Sequence, residues 1–420
     1  MDRAKPENIC SLLGKNTLYI GGFLKQLITN GENFAINMNE SSKTAVMYGA
    51  GNIGRGFIGQ LFHDSGYEVV FIDVNQEVVS ALNERRAYTQ LIVDGDAVER
   101  REITAVRAVD GRDGEAVARE ITACAVMAVS VGAAILPRVA PLLAEGLAIR
   151  EKPLNILVCE NLAHGPAILR GYVAEHLPDP SVLSHVGFVG ATIGRMVPVM
   201  PAEQRAGDPT RIAVERFCAL PLDADAVVQP VPEIEHAVWC SPFAFQEGKK
   251  LYIHNMGHAL TAYFGFLRGY TYIWQAVGEP DIRGQARAAM LSSAEALARK
   301  YNEDKIDLTA YVDDLLARFG NKGLGDTIAR VGGDPMRKLA PGDRLMGAVA
   351  LCKEQGTDYD PILTGVAAAL RFNAPGDPSA GKLRERLEDE GIRAFLEKDC
   401  GLDKADVAKC EERYDIRGNS

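Results

Sequence analysis

"TAVMYGAGNIGRGFIGQLF", residues 44–62, runs from a short apolar stretch through a cluster of glycines into a second apolar stretch. Gly49, Gly51 and Gly54 stand in a GxGxxG spacing, which alone is a weak signal. The flanking residues strengthen it. A strand must deliver the first glycine into a tight turn, the second must let backbone approach a pyrophosphate, and the third must let the following helix pack on the strand with its N-terminus facing the anion. Asn52 and Ile53 fill that turn. Asp73 closes the next apolar run, "EVVFID" (68–73), about 20 residues on, where an acid accepts hydrogen bonds from ribose hydroxyls and repels a 2′-phosphate. NAD is therefore expected over NADP. Val129, in the buried run "ACAVMAVSV" (123–131), completes the expected cofactor set. The plain alternatives are a glycine turn without a ligand and, for Asp73, a solvated strand end. Arg55, just inside the helix, is placed either to reach phosphate or to point to water.

Outward from this turn the pattern alternates. Strand "EVVFID" precedes helix "EVVSALNERR", and "ACAVMAVSV" and "NILVCEN" (155–161) read as further buried strands. Near-continuous apolar strands separated by helices predict a parallel sheet covered on both faces, a Rossmann-type, doubly wound α/β domain. "YTQLIVDGDAVERREITAV" alternates like a hairpin turning at Asp94-Gly95, an insertion. Strand and turn signals persist through 211–229. Beyond about residue 245 helical spacing takes over, in "GHALTAYFGFLRG", "IRGQARAAMLSSAEALARKY", "LTAYVDDLLARF", "LTGVAAALRF" and a charged C-terminal helix. The expected organisation is an N-terminal extension at 1–42 with nothing that obliges a stable unit, a nucleotide-binding domain at 43–243, and a mostly helical substrate and catalytic domain at 244–420.

The chain carries a net charge of −10, which argues against nucleic acid as a partner, because a duplex binder needs a basic stripe. An anionic ligand must then meet a local cluster of Arg and Lys. No apolar run approaches the roughly 20 residues that a membrane helix needs. The cysteines are scattered without a CxxC pair, so reduced thiols in a cytoplasmic protein are expected. Monomer and small homo-oligomer both remain open.

"KKLYIHNMGH" (249–258) crowds lysines, histidines and an asparagine onto the start of an expected helix. At ~100° per residue, Glu247, Lys250, His254 and His258 share one face, with Asn255 on the flank. His254 and His258 have the i, i+4 spacing of a zinc site, but Asn255 stands where such a motif needs its glutamate and no third ligand is evident, so no metal is expected. His254 alone reads more simply as a packed histidine. A proton-transfer reading uses every group. A lysine brought toward neutrality by desolvation and a neighbouring positive charge can accept an alcohol's proton as hydride leaves the carbon. The amides of Asn255 and of Asn161, at the end of "NILVCEN", can donate to the developing oxyanion.

Lys250, Asn255 and His258 form K-x-x-x-x-N-x-x-H, which resembles the signature of the polyol-specific long-chain dehydrogenases, the mannitol dehydrogenase family. "YGAGNIGRGFIG", "DVNQ", "CEN", "HVGFV", "GHALTAYFG" and "RKLAPGDRL" resemble members acting on a sugar phosphate, in order from about Lys43 to the C-terminus. The resemblance implies a Rossmann domain joined to a helical one, an active site in the cleft between them, and NAD-dependent interconversion of D-mannitol 1-phosphate and D-fructose 6-phosphate. By the same resemblance Lys250 is the general acid/base, Asn161 and Asn255 hold the oxyanion, His258 orients substrate or lysine, and Glu247 relays protons. Arg330 and Lys338, in "RVGGDPMRKLAPGDRL", stand where relatives bind substrate; ordinary ion pairs are the alternative there and for Arg337 and Arg344. "TIGRMVP" departs from the family by placing Gly194, not an aspartate, before Arg195, and residues 1–42 have no counterpart. A free polyol or hexuronate as substrate, or a non-catalytic NAD sensor, are the competing readings.

Overall fold

In the computed structural model, residues 43–416 apart from Pro201 are described; the expected extension at 1–42 lies outside them. They divide into two compact units, one ending at Gln246 and one starting at Glu247.

The first unit is built on six parallel strands. They are β1 (Thr44–Tyr48), β2 (Glu68–Asp73), β5 (Val106–Asp110), β6 (Val126–Val129), β7 (Leu154–Val158) and β8 (Val186–Gly190), in the order β5-β2-β1-β6-β7-β8. The order reverses at β1, between β2 and β6, which is where such sheets open a ligand crevice beyond the strands' C-terminal ends. The inner strands are mostly apolar because both faces are covered, whereas the edge strand β5 carries Arg107 and Asp110. Met47, Phe71 and Leu157 pack into one core, and Val46, Ile72 and Ile156 into the other. The expected hairpin is present as β3 (Ala87–Asp94) and β4 (Ala97–Thr104), antiparallel, and β9 (Ile212–Val214) joins β3 in parallel to make a three-stranded sheet. β4 forms an edge of that small sheet, and its "VERRE" face is charged, which discourages pairing with another chain. Two short parallel strands, β10 (Leu220–Asp223) and β11 (Ala237–Cys240), complete the unit.

The second unit is helical. Its central element is Met256–Leu267, buried nearly all round and packed against the long helix Pro280–Tyr301 and the helix Asp360–Ala369. Tight approach needs small residues. A Cβ on Gly257 would collide with Met290, and one on Gly365 with Leu260. The charged C-terminal stretch is two helices, Pro378–Lys398, kinked where Gly391 takes φ 80°, and Lys404–Ile416. Among the described residues no helix is long and apolar enough to cross a membrane.

Candidate active site

The glycine loop has the form its chemistry requires. Gly49 sits at φ 105°, and a Cβ there would strike the carbonyl of Ser130; a Cβ on Gly54 would strike the carbonyl of Gly49. Gly51 differs, because a Cβ there would meet no protein atom within 4 Å. That open side of the turn is where a pyrophosphate approaches backbone, and side-chain bulk would intrude on the ligand alone. Asp73 Oδ2 accepts the Ala50 N–H at 2.7 Å and Oδ1 the Asn75 N–H at 2.9 Å, so the carboxylate braces the loop and keeps lone pairs for ribose hydroxyls. These residues fit NAD.

Two expectations in this unit need correction. Arg55 neither reaches toward phosphate nor points to water. It is buried and donates to the carbonyls of Ala50 (2.6 Å), Pro209 (3.1 Å) and Thr210, tying the loop's helix to a distant turn. Val129 has its side chain wholly inside the sheet and its carbonyl bonded to the Cys159 N–H at 2.9 Å. The groups next to open space are those of Val131 and Gly132. Glu160, not anticipated although it lies in "CEN", accepts both their N–H groups, at 2.7 and 2.9 Å. Burial raises its carboxyl above the usual range. Its neighbour Asn161 is exposed just past the end of β7.

Gly194 has a local explanation. Arg195 is buried and donates to the Glu215 carbonyl at 2.7 and 2.9 Å and to Gln60 Oε1 at 2.6 Å, with the buried Glu215 carboxylate nearby supplying opposite charge. A Cβ at Gly194 would press on the Phe217 ring at 3.2 Å.

In the helical unit, the expected single α-helix through Lys250 is three pieces: α-helix Phe243–Gly248, a π-helical stretch Lys249–Asn255, and α-helix Met256–Leu267. The difference matters for the site. In an α-helix Lys250 and Asn255 lie about 140° apart, whereas an i→i+5 turn advances each residue by only about 82° and brings them within about 50°. The wide turn moves Asn255 from the flank onto the lysine's face, and carried through the next α-turn it aligns His258 there too. Lys250 is half-buried and Glu247 exposed. Lys249 is buried instead, its ammonium 4.2 Å above the Tyr311 ring. His254 is buried 5.7 Å from Phe319, with Nδ1 lacking a hydrogen-bond partner.

His258 lies at the centre of a cationic cluster. Its imidazolium is strongly disfavoured, first by burial, then by Arg330, Lys250, Arg344 and Lys338. The ring stacks on Phe319, centroids 4.6 Å apart and 13° from parallel. Arg330 ion-pairs with Asp326, four residues earlier, and Asp326 Oδ2 faces His258 Nε2 at 3.5 Å. Lys338 is 4% exposed and its ammonium makes no hydrogen bond or ion pair among the described residues; burial first, then Arg344 and Arg337, lowers it to about 7. Arg344 is buried with Nε on Asp343 at 2.8 Å. Arg337 is spent on Asp334 (2.7 Å) and Asp343 (3.3 Å). Asp326 and Phe319 went unrecognised, although the i, i+4 spacing of Asp326 and Arg330 is a visible pairing signal. No three His, Cys, Asp or Glu side chains among the described residues come together as a metal-ligand set.

A glycine loop fitted to NAD, and a helix bearing lysine, asparagine and histidine beside clustered cations, define a dehydrogenase of the polyol class. The chain belongs to the mannitol dehydrogenase family: residues 43–236 match its Rossmann domain and 243–409 its C-terminal domain. It is 36% identical over 365 residues to the mannitol-1-phosphate 5-dehydrogenase of Bacillus subtilis (strain 168), covering 85% of this chain and 95% of that protein. Solved structures share the fold at 18% identity. The Pseudomonas fluorescens mannitol 2-dehydrogenase ternary complex with NAD and D-mannitol aligns with TM-score 0.71 over 92% of this chain and 94% of that one. A substrate-free D-sorbitol dehydrogenase aligns with TM-score 0.72 over 90% and 93%.

Proposed function

We propose that the protein oxidises D-mannitol 1-phosphate to D-fructose 6-phosphate with NAD, and runs the reverse reduction, without a catalytic metal. Bound NAD supplies the hydride acceptor. Lys250 takes the hydroxyl proton in oxidation and returns it in reduction. Asn255, turned onto the same face by the π-helical stretch, donates to the substrate oxygen as charge develops on it, the task also assigned to Asn161. His258 orients the hydroxyl or the lysine, and Glu247 exchanges protons with solvent.

The observation that carries the phosphate is the cation cluster, in which Lys338 and Arg344 are buried and Arg330 is exposed. In a chain of net charge −10, Arg330, Lys338 and Arg344 converge around His258, and the Lys338 ammonium has no ion-pair partner among the described residues, Asp334 and Asp343 acting on it only from a distance. A phosphate dianion would supply that partner, with Arg as fork and Lys as point charge. The pairing of Arg330 with Asp326 favours the second reading, a free polyol or hexuronate, because it takes up part of the charge a phosphate would use.

The deciding measurement is kcat/KM for mannitol 1-phosphate against mannitol, with fructose 6-phosphate against fructose in reverse. A preference of at least about a hundredfold for the phosphates is expected from charge-assisted contacts of roughly 3 kcal/mol. Equal values would remove the phosphate from the reading. Activity surviving exhaustive chelation is expected too; its loss, restored by a divalent ion, would contradict the metal-free mechanism.

A further inference from the structure

We propose that Asp326 is a positioning residue that fixes the tautomer of His258, protonating Nε2 and leaving Nδ1 as a hydrogen-bond acceptor toward the substrate hydroxyl or Lys250. The proposal rests on the dehydrogenase reading above and deepens it. The two oxygens of Asp326 are divided between two partners: Oδ1 takes Nη2 of Arg330, and Oδ2 faces His258 Nε2 at 3.5 Å. An ionised carboxylate only accepts, so the nitrogen turned toward it is the one that carries hydrogen. Nε2 is buried and makes no hydrogen bond among the described residues; the Asp326 carboxylate at 3.5 Å is the acceptor it faces. Burial and the surrounding cations keep the ring neutral, so a proton on Nε2 leaves Nδ1 bare. Among the described residues no hydrogen bond engages Nδ1.

The carboxylate is itself firmly held. Asp326 is 7% exposed, and its carbonyl accepts the Ile273 N–H at 2.9 Å. The next residue, Thr327, caps the helix Ile328–Gly332 by accepting the Arg330 N–H at 3.2 Å, so acid, cap and arginine share one rigid turn. Stacking on Phe319 fixes the plane of the imidazole. With the Asp326, Asp334 and Asp343 carboxylates facing His258, Arg330, Arg337 and Arg344, a bare Nδ1 is an uncommitted acceptor, which is what a substrate hydroxyl or an ammonium needs to be aimed.

The test is long-range proton–nitrogen NMR of the full-length protein labelled with ¹⁵N-histidine, with His258→Gln assigning the signal. The wild type should show Nε2 protonated and Nδ1 bare at neutral pH. In Asp326→Asn, Arg330 can only donate and therefore keeps the amide oxygen, which turns the amide NH₂ against Nε2 and should invert the ring to Nδ1–H. A kcat lower by about tenfold to a hundredfold with NADH affinity unchanged should accompany the inversion. A wild-type ring protonated at Nδ1, or an imidazolium, overturns the proposal, and so does an asparagine variant whose tautomer or kcat is unchanged. If Asp326→Asn does not fold, the wild-type spectrum alone decides. Failure of the functional reading is separately visible: a wild type with protonated Nε2 that turns over neither sugar phosphates nor free polyols sinks that reading and leaves the tautomer in place.

Discussion

Two lysines in the helical unit carry opposite burdens. In the proposed mechanism Lys250 changes protonation during each turnover, whereas Lys338 is charged when a phosphate binds. Replacing Lys250 with alanine removes the proton acceptor but no part of the nucleotide loop, so kcat should fall by about 10²–10⁴ with the NADH dissociation constant, read by fluorescence, nearly unchanged. Near-normal turnover would take the lysine out of the mechanism. For Lys338 the sign follows from its ammonium being lowered to about 7 by burial, with Arg344 and Arg337 adding to it. Below that pH the side chain is charged and ready. Above it the free enzyme holds a neutral amine, so binding a dianion must recruit a proton, and affinity drops by up to about tenfold per pH unit. Because a phosphomonoester is already a dianion above about pH 6, the KM for fructose 6-phosphate should rise from pH 7 to pH 9. Lys338→Arg, charged throughout, should flatten that rise. A KM profile identical in the two proteins would detach Lys338 from the phosphate.

The two elements that matter most are the glycine turn after β1 and the π-helical stretch, and they differ in how far the sequence betrays them. The turn was legible because its demands are local: strand, glycine spacing and the acid of "EVVFID" all sit within thirty residues. The π-helical stretch was not, since helical-wheel reasoning assumes 3.6 residues per turn and the wider turn depends on partners far along the chain. Tyr311 receives Lys249, and Gly347 leaves room that a Cβ would deny to Tyr252. The glycines of the turn also make separable predictions. Gly51→Ala adds a methyl where no protein atom is near, so thermal stability of the free protein should be unchanged within about 0.5 kcal/mol while NADH binding weakens at least tenfold. Gly54→Ala drives a methyl into the Gly49 carbonyl and should lower stability by about 1–3 kcal/mol or more before any ligand is added. If titration calorimetry and thermal melts found the two variants alike, the open side of the turn would not be where the dinucleotide lies.

At the scale of the whole chain, what the sequence made legible was hydrophobic patterning, and what it hid was the fate of buried polar groups. The run of Val46, Ile72 and Ile156 could only be sheet interior, and it is. Arg55, by contrast, looked available for a ligand and is consumed by backbone carbonyls, two of them more than a hundred residues away, and Arg195 is held in the same way by the carbonyls of Gly56 and Glu215, partners that only the folded chain brings near. Asp326 was overlooked for the same reason, its importance lying in what surrounds it. The same distinction applies to the thiols. Free cysteine is reactive as thiolate, so burial protects twice, by blocking access and by raising the pKa. Cys124, Cys400 and Cys410 are buried and pushed up to about 12, and Cys159 and Cys352 are buried and raised as well, whereas Cys218 and Cys240 are half-buried. At pH 8 a thiol-specific chromogenic reagent should therefore, among the described cysteines, reach Cys218 and Cys240 well before the five buried thiols, and those five should appear only on adding denaturant. Rapid labelling of Cys124 or Cys159 in the native protein, located by peptide mass mapping, would show that the sheet's interior is open to solvent, and the packing that fixes the glycine turn and Glu160 would have to be redrawn.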